Sequence, residues 1–411
     1  MDKRYLTARE AAEELGITTA TLYAYVSRGL VRSEPGSEKK RDRRYRAEDI
    51  AALKERRELR RDPAGATAKA LHWGTPLLES AITLIQDGRL YYRGHDAVEL
   101  AANRRIEEVA GLIWNDAHGV PPSLGNSSVR PVPRLRRLRR ELVGLPSIEL
   151  FQALLPVAGA EDLAALDLRS DAVRQAGARI LRLLVATAAG TEKVENGIAR
   201  TLAAGWRTGG THGPRMLDMA MILAADHELN VSSFTVRCVA SAGATPYAAV
   251  GAGLGAIGGV KHGRYTERVE ALFDETGKPE RAREAVAARL RRGESLPGFR
   301  HELYPAGDPR GTALMNAVAG MAPRSPAVRL AASIRDAAAE LTGDHPTIDF
   351  GLVTLTRALG LPDGTALTLF ALGRTVGWIG QAIEQYEQDR IIRPRAHYTG
   401  AMPGEREAGK G

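Results

Sequence analysis

Ala225-Asp226-His227-Glu228-Leu229-Asn230 and, thirty-five residues after His227, Lys261-His262-Gly263 bracket a stretch, 238–260, with no charge and six glycines. The reading of that stretch decides the fold. It is long enough to cross a bilayer. Its glycines, with Ser241, Thr245 and Pro246, leave few large aliphatics, so it reads instead as a buried helix pair packed closely through small residues. No membrane partner is expected.

The same reading extends outward. From Val98 onward the apolar pattern is helical almost to the end: Ile180, Leu183, Leu184 and Thr187 share one helix face, as do Leu217, Ala220, Met221 and Ala224. Only 75–83 and 90–96 look like short extended pieces and a turn. Few runs alternate with period two, so the expected fold class is mainly α. The run 134–140, with four arginines after Arg134 and leucines at 135, 138 and 142, reads as an amphipathic helix with a solvated basic face.

Chemistry-bearing residues cluster in the second half. His227 and His262 are joined by His301, in Pro297-Gly298-Phe299-Arg300-His301, and by Asp349, in His345-Pro346-Thr347-Ile348-Asp349-Phe350. Imidazole donates or accepts protons near neutral pH, and a desolvated carboxylate is a base strong enough to attack a C–H bond. Together they suit proton transfer at a carbonyl centre. Singly, each has a plainer reading: a hydrogen-bonded core histidine, or an N-cap aspartate at 349. Arg310 alone would close the turn after Asp308-Pro309, and Arg374 and Arg393 would be surface residues.

The chain has 411 residues, 44% hydrophobic and 26% charged, enough for two or three domains. The lone Cys238 excludes an intrachain disulfide and a cysteine-based zinc site, and fits a reducing cytoplasm. No secretory leader is expected, and the scattered histidines give no metal-ligand spacing. Net charge is +8, and residues 1–61 hold 16 Lys/Arg against 11 Asp/Glu. That excess points to an anionic partner for this end.

Thr7 with Glu10 forms a capping-box signal, and Gly16 can close the helix that follows. Thr18 caps a second helix, Thr19 to Arg28, closed by Gly29. A basic loop, Lys39 to Arg46, precedes a third helix from Ala47 to about Arg61. Tyr5 to Ala12, Leu15-Gly16-Ile17, Thr21 to Leu30 and Arg43-Arg44-Tyr45 resemble the MerR-type or excisionase-type winged helix-turn-helix. That resemblance implies DNA contact by Thr21, Tyr25, Arg28, Arg43 and Arg44, the second helix in the major groove and the basic loop on phosphates. Packing or oligomerisation is the other use of such a module. Asp62-Pro63-Ala64-Gly65-Ala66 reads as a linker.

From about residue 71 to 402 the chain resembles the citrate synthase family. The matching pieces, in order, are 91–96, 225–230, 261–263, 298–301 with Asp308-Pro309-Arg310, 346–350, Gly373-Arg374-Thr375-Val376-Gly377-Trp378 and 392–400. The resemblance implies a helical fold with a large domain (71–262 and 361–411) and a small domain (263–360) around a cleft, after a helix-turn-helix at 1–61 and a linker at 62–70. It implies that acetyl-CoA or propionyl-CoA, as co-substrate and not as a resident cofactor, condenses with oxaloacetate to citrate or 2-methylcitrate. Asp349 would take the α-proton, His262 would hydrogen-bond the thioester oxygen, and His301 would polarise the ketone. His227, Arg310, Arg374 and Arg393 would hold the substrate, Arg393 reaching from the neighbouring subunit of a homodimer.

The pattern also departs from the family. Gly263-Arg264-Tyr265-Thr266 replaces a run of small residues, and Arg264 either obstructs the CoA channel or meets a CoA phosphate. Arg300 stands where the family has glycine, and Glu302 and Pro305 where it carries basic residues. Two functions of different class therefore stay open: a cytoplasmic citrate synthase-type enzyme, or a transcriptional regulator using the same body as a carboxylate sensor; citryl-CoA cleavage, similar chemistry run backwards, is a third.

Overall fold

The computed structural model describes residues 5–28, 30–35, 43–47, 49–50, 53, 78–115, 127–128, 133–208, 210, 212–396 and 398–400. It forms two compact units, Met1–Glu79 and Ser80–Gly411.

In the first unit, strand β1 (Tyr5–Thr7) leads into helix α1 (Ala8–Leu15) and helix α2 (Thr19–Ser27). Both halves of the capping box form, Thr7 accepting from the Glu10 backbone while Glu10 accepts from the Thr7 backbone. Gly16 ends α1 at φ 59°, where a side chain would be strained. Strands β2 (Ser33–Pro35) and β3 (Arg43–Arg46) complete an antiparallel sheet in the order β1-β3-β2. Arg43 to Arg46 are thus a central strand, where the sequence suggested loop. Strand period two sets Tyr45, fully buried with Leu22, Val31 and Ile50, opposite the exposed Arg44 and the half-buried Arg46, and Arg43 is exposed at the start of the strand. Gly29, residues 39–42, the linker 62–70 and most of the third helix (47–61) lie outside the described residues.

The second unit opens with β4 (Thr83–Gln86), β5 (Arg89–Tyr92) and β6 (His95–Asp96), paired antiparallel. Each hairpin turns on two residues of positive φ, Asp87-Gly88 and Arg93-Gly94, the geometry that matches strand twist. Strands β7 (Ser127–Ser128) and β8 (Lys193–Val194) pair separately.

Helices make up the rest. First come α3 (Ala97–Asn103), α4 (Ile106–Ile113), α5 (Pro133–Glu141), α6 (Ser147–Glu161) and α7 (Ser170–Ala188). Next are α8 (Ile198–Gly205), α9 (His212–Ala224), α10 (Val231–Ser241), α11 (Pro246–Ile257) and α12 (Tyr265–Thr276). The last are α13 (Ala282–Arg291), α14 (Pro309–Met321), α15 (Pro326–Thr342), α16 (Ile348–Ala358) and α17 (Thr365–Gln388).

Helix α17 is buried on all sides from Thr365 to Gln385, the pattern of a helix inside a core. Helices α7, α9, α10, α11 and α16 pack on it. Gly373 and Gly377, one turn apart, allow α17 to approach the end of α9: a Cβ on Gly377 would lie 2.2 Å from the Ala225 carbonyl oxygen. The uncharged stretch 238–260 runs from the end of α10 through α11, which packs Gly253 on Trp378. Among the described residues no helix is long and apolar enough to cross a membrane. In α5, Arg139 departs from the expected solvated face and donates to the carbonyls of Ala186, Thr187 and Thr191, capping the end of α7.

Candidate active site

The turn between α9 and α10 is built on a buried acid. Asp226 is inaccessible, and its carboxylate accepts from Thr83 (2.6 Å), Gln381 (3.2 Å) and Ser233 (3.3 Å). Those partners come from β4, α17 and α10, so three elements fix the turn that presents His227. Asn230 ends it as the N-cap of α10, accepting from the Ser232 and Ser233 backbones.

His227 is 7% exposed, and its Nε2 lies 3.0 Å from the Tyr304 hydroxyl. Its ring meets His301 edge-on with centroids 5.2 Å apart, and His301 meets Tyr304 at 5.1 Å. Burial, then the charge of Arg310, holds His227 well below the ordinary imidazole pKa. His301 is brought down to about 4, chiefly by burial and then by Arg310. Its Nδ1 accepts from the Leu303 backbone N–H at 3.2 Å, so the proton of the neutral ring resides on Nε2.

Two further loops converge here. The His301 loop is stitched to the strand-like segment before α16: Thr347 N–H donates to Gly298 at 2.8 Å and Arg300 N–H to His345 at 3.1 Å. Asp308, the N-cap of α14, takes two parallel bonds of 2.9 Å from Arg310 and a third, of 3.0 Å, from the Ile348 N–H. One buried carboxylate thereby holds a guanidinium and the first turn of α16 together. Burial works against both charges of the pair, but their attraction prevails: Asp308 lies below its ordinary pKa and Arg310 above.

Asp349 follows in that first turn, accepting from the Thr347 hydroxyl at 3.2 Å. Burial raises its pKa to about 6, with Arg310 pulling down and Asp308 pushing up. At neutral pH it is an ionised, poorly solvated carboxylate.

Arg374, 2% exposed, lies over the Phe370 ring with its charge 4.8 Å from the centroid. Burial lowers its pKa to about 10 against the pull of Asp226, so it stays a cation at neutral pH. His262 packs edge-on against the same ring at 5.9 Å, and its pKa falls to about 4 through burial and then Arg374. Its Nε2 lies 2.8 Å from the Ser232 hydroxyl oxygen, which receives the Trp378 indole N–H at 3.2 Å. The Ser232 hydroxyl donates to Asn230 Oδ1 at 2.7 Å, an oxygen that can only accept, so His262 Nε2 donates to Ser232. Turned instead to His262, the Ser232 proton would leave the imidazole proton on Nδ1 as a donor for a ligand.

His227, His262, His301, Arg310, Asp349 and Arg374 therefore share one electrostatic neighbourhood. It holds three neutral imidazoles, two guanidiniums and one base, suited to an anionic carbonyl compound. Arg393 is exposed, on a segment after α17. Arg264 donates to Glu149 and Glu267. In the first unit Thr21 bonds the Thr18 cap, Tyr25 packs on the small core, and Arg28, Arg43 and Arg44 are exposed. Sequence reasoning missed Ser232 and Tyr304. The spacing of Tyr304, three residues after His301 in a Gly/Pro-rich loop, was the only available signal.

A model of the citrate synthase C-terminal domain matches residues 70–395, and one of the MerR helix-turn-helix regulatory family matches 6–71. Citrate synthase 2 of Bacillus subtilis is 26% identical over 80% of this chain and 94% of its own length. The 2-methylcitrate synthase 2 of Corynebacterium glutamicum is 26% identical over 76% and 88%. The solved citrate synthase of Thermotoga maritima superposes with TM-score 0.68 at 26% identity, covering 81% of this chain and 96% of that one. That of Thermoplasma acidophilum, a ternary complex with carboxymethyl coenzyme A and oxaloacetate, shares the fold with TM-score 0.71 at 21% identity over 82% and 97%.

Proposed function

Because the chain belongs to the citrate synthase family, we propose that it condenses acetyl-CoA or propionyl-CoA with oxaloacetate, releasing citrate or 2-methylcitrate and CoA. Asp349 takes a proton from the carbon next to the thioester. His262 donates a hydrogen bond to the thioester oxygen as the enol forms, so charge does not build up unaided. His301, whose proton is on Nε2, polarises the ketone of oxaloacetate, and the enol carbon bonds to it. Water then cleaves the thioester. His227, Arg310 and Arg374 bind the ketone and carboxylates, with Arg393 completing the set from the partner of a homodimer.

In this reading residues 71–262 and 361–411 form a large domain and 263–360 a small one, which close over the reactants and exclude water. Arg264 exchanges a carboxylate for a CoA phosphate. The observation that supports the proposal most directly is Asp349, a half-buried carboxylate brought to about 6 beside the Asp308–Arg310 pair. A sensor has no need of a carbon base.

A second reading has its own observation. Arg264 is engaged by Glu149 and Glu267, and the MerR-like helix-turn-helix stands at the N-terminus. On this reading the body senses a carboxylate and the N-terminal module binds an operator. Purified protein with oxaloacetate and acetyl- or propionyl-CoA, followed by free thiol, separates the two. The enzyme releases thiol, and Asp349→Asn does so far more slowly. No release from either thioester hands the case to the sensor.

A further inference from the structure

Two neighbouring imidazoles in this site are pinned through opposite nitrogens. His301 uses Nδ1 to accept from the Leu303 backbone at 3.2 Å, whereas His227 has Nε2 engaged, 3.0 Å from the Tyr304 hydroxyl. His227 Nε2 is engaged either way, so the direction of that second bond decides whether Nδ1 meets a ligand as a donor or as an acceptor. Among the described residues the Tyr304 hydroxyl has no other hydrogen-bond partner, so His227 is where its proton can go. The surroundings agree. Tyr304 is 2% exposed, which leaves its hydroxyl little solvent to donate to instead. Burial moves the phenol up to about 12 and holds the imidazole well below its usual value, so a neutral phenol meets a neutral imidazole.

We propose that Tyr304 is a positioning residue that donates its hydroxyl proton to His227 Nε2, fixing the His227 proton on Nδ1 as the donor that holds the oxo-diacid. With His301 protonated on Nε2, the pair then offers two N–H donors, one for a ketone oxygen and one for the adjacent carboxylate. A 2-oxo acid has both acceptors side by side. An imidazole in the wrong tautomer would instead turn a lone pair toward a carboxylate and repel it. The role of the ligand rests on the reading of the site as an oxaloacetate site, but the tautomer does not.

The test uses the full-length protein labelled with 15N histidine and the Tyr304→Phe variant, with His227→Gln to assign the signal. In the parent protein the imidazole nitrogens of His227 should report the Nδ1–H tautomer. Tyr304→Phe should move them to the Nε2–H tautomer or to a mixture. Unchanged nitrogen shifts in Tyr304→Phe overturn the proposal. Steady-state kinetics supply the second arm: the KM for oxaloacetate rises about tenfold, as for one lost hydrogen bond to a charged group, while the KM for acyl-CoA stays within about twofold. Equal rises in both would make Tyr304 a general structural support and count against the assignment. If the parent protein releases no thiol, the enzyme reading fails, and the nitrogen shifts still decide the role of Tyr304.

Discussion

The Nε of Arg374 donates to the Ala224 carbonyl at 2.8 Å, and this one bond aims the guanidinium. Among the described residues no other hydrogen bond engages its two terminal nitrogens, which can therefore pair with a carboxylate. Arg374→Lys keeps the charge and loses the planar fork. The KM for oxaloacetate should rise roughly thirtyfold, about 2 kcal/mol, with the KM for acyl-CoA nearly unchanged. A small effect in steady-state kinetics would remove Arg374 from the diacid.

Asp349 should set the acid limb of the pH profile. As a base it works only when ionised, so kcat/KM should fall as pH drops through about 6. His262 and His301, each near 4, stay neutral across that window and add no limb of their own. Asp349→Asn should lower turnover by about 10²–10⁴ while oxaloacetate still binds by calorimetry. The folded pKa exceeds the unfolded one, so ionisation of Asp349 costs stability above pH 6. The Asn variant should therefore melt higher at pH 8, with the gap closing as pH falls below 6. An acid limb that persists in the residual activity of Asp349→Asn would assign it to another group.

Two glycines in helices should respond in opposite directions. Gly377→Ala places a Cβ 2.2 Å from a carbonyl that cannot yield, and should destabilise by about 3 kcal/mol or more. Gly251, in α11, has nothing within 4 Å of an added Cβ, so Gly251→Ala should stabilise by about 0.5–1 kcal/mol. Thermal melts of the two variants decide it. A tolerated Gly377→Ala would contradict the close approach of α17 to the end of α9.

Arg264 separates binding from obstruction. If it meets a CoA phosphate, Arg264→Ala raises the KM for acyl-CoA, and Glu149→Gln lowers it by freeing the guanidinium from Glu149. A lower KM in Arg264→Ala would identify a plug in the channel instead.

The first unit should bind DNA through exposed arginines. Full-length protein should retard the upstream region of its own operon, with affinity falling as salt rises. Arg43→Ala with Arg44→Ala should reduce the slope of log affinity against log salt by about 2, one per lost phosphate contact. Equal binding by protein lacking residues 1–61 would end this assignment.

What the sequence determined by itself was whatever short range enforces. The caps at Thr7, Glu10, Gly16 and Thr18 act within a few residues, so their spacing displays them. Helical periodicity gave the mainly α fold, and the order of short motifs gave the family. Arg43 to Arg46 were misread as loop because their strand exists only through partners at 5–7 and 33–35. The site was legible as a set of residues and illegible as a device. Tyr304 meets His227 across 77 positions, and Arg374 meets Ala224 across 150. Such contacts leave no periodic trace. Which nitrogen of a histidine holds its proton, and which way a guanidinium points, depend on neighbours that folding alone brings within hydrogen-bonding distance.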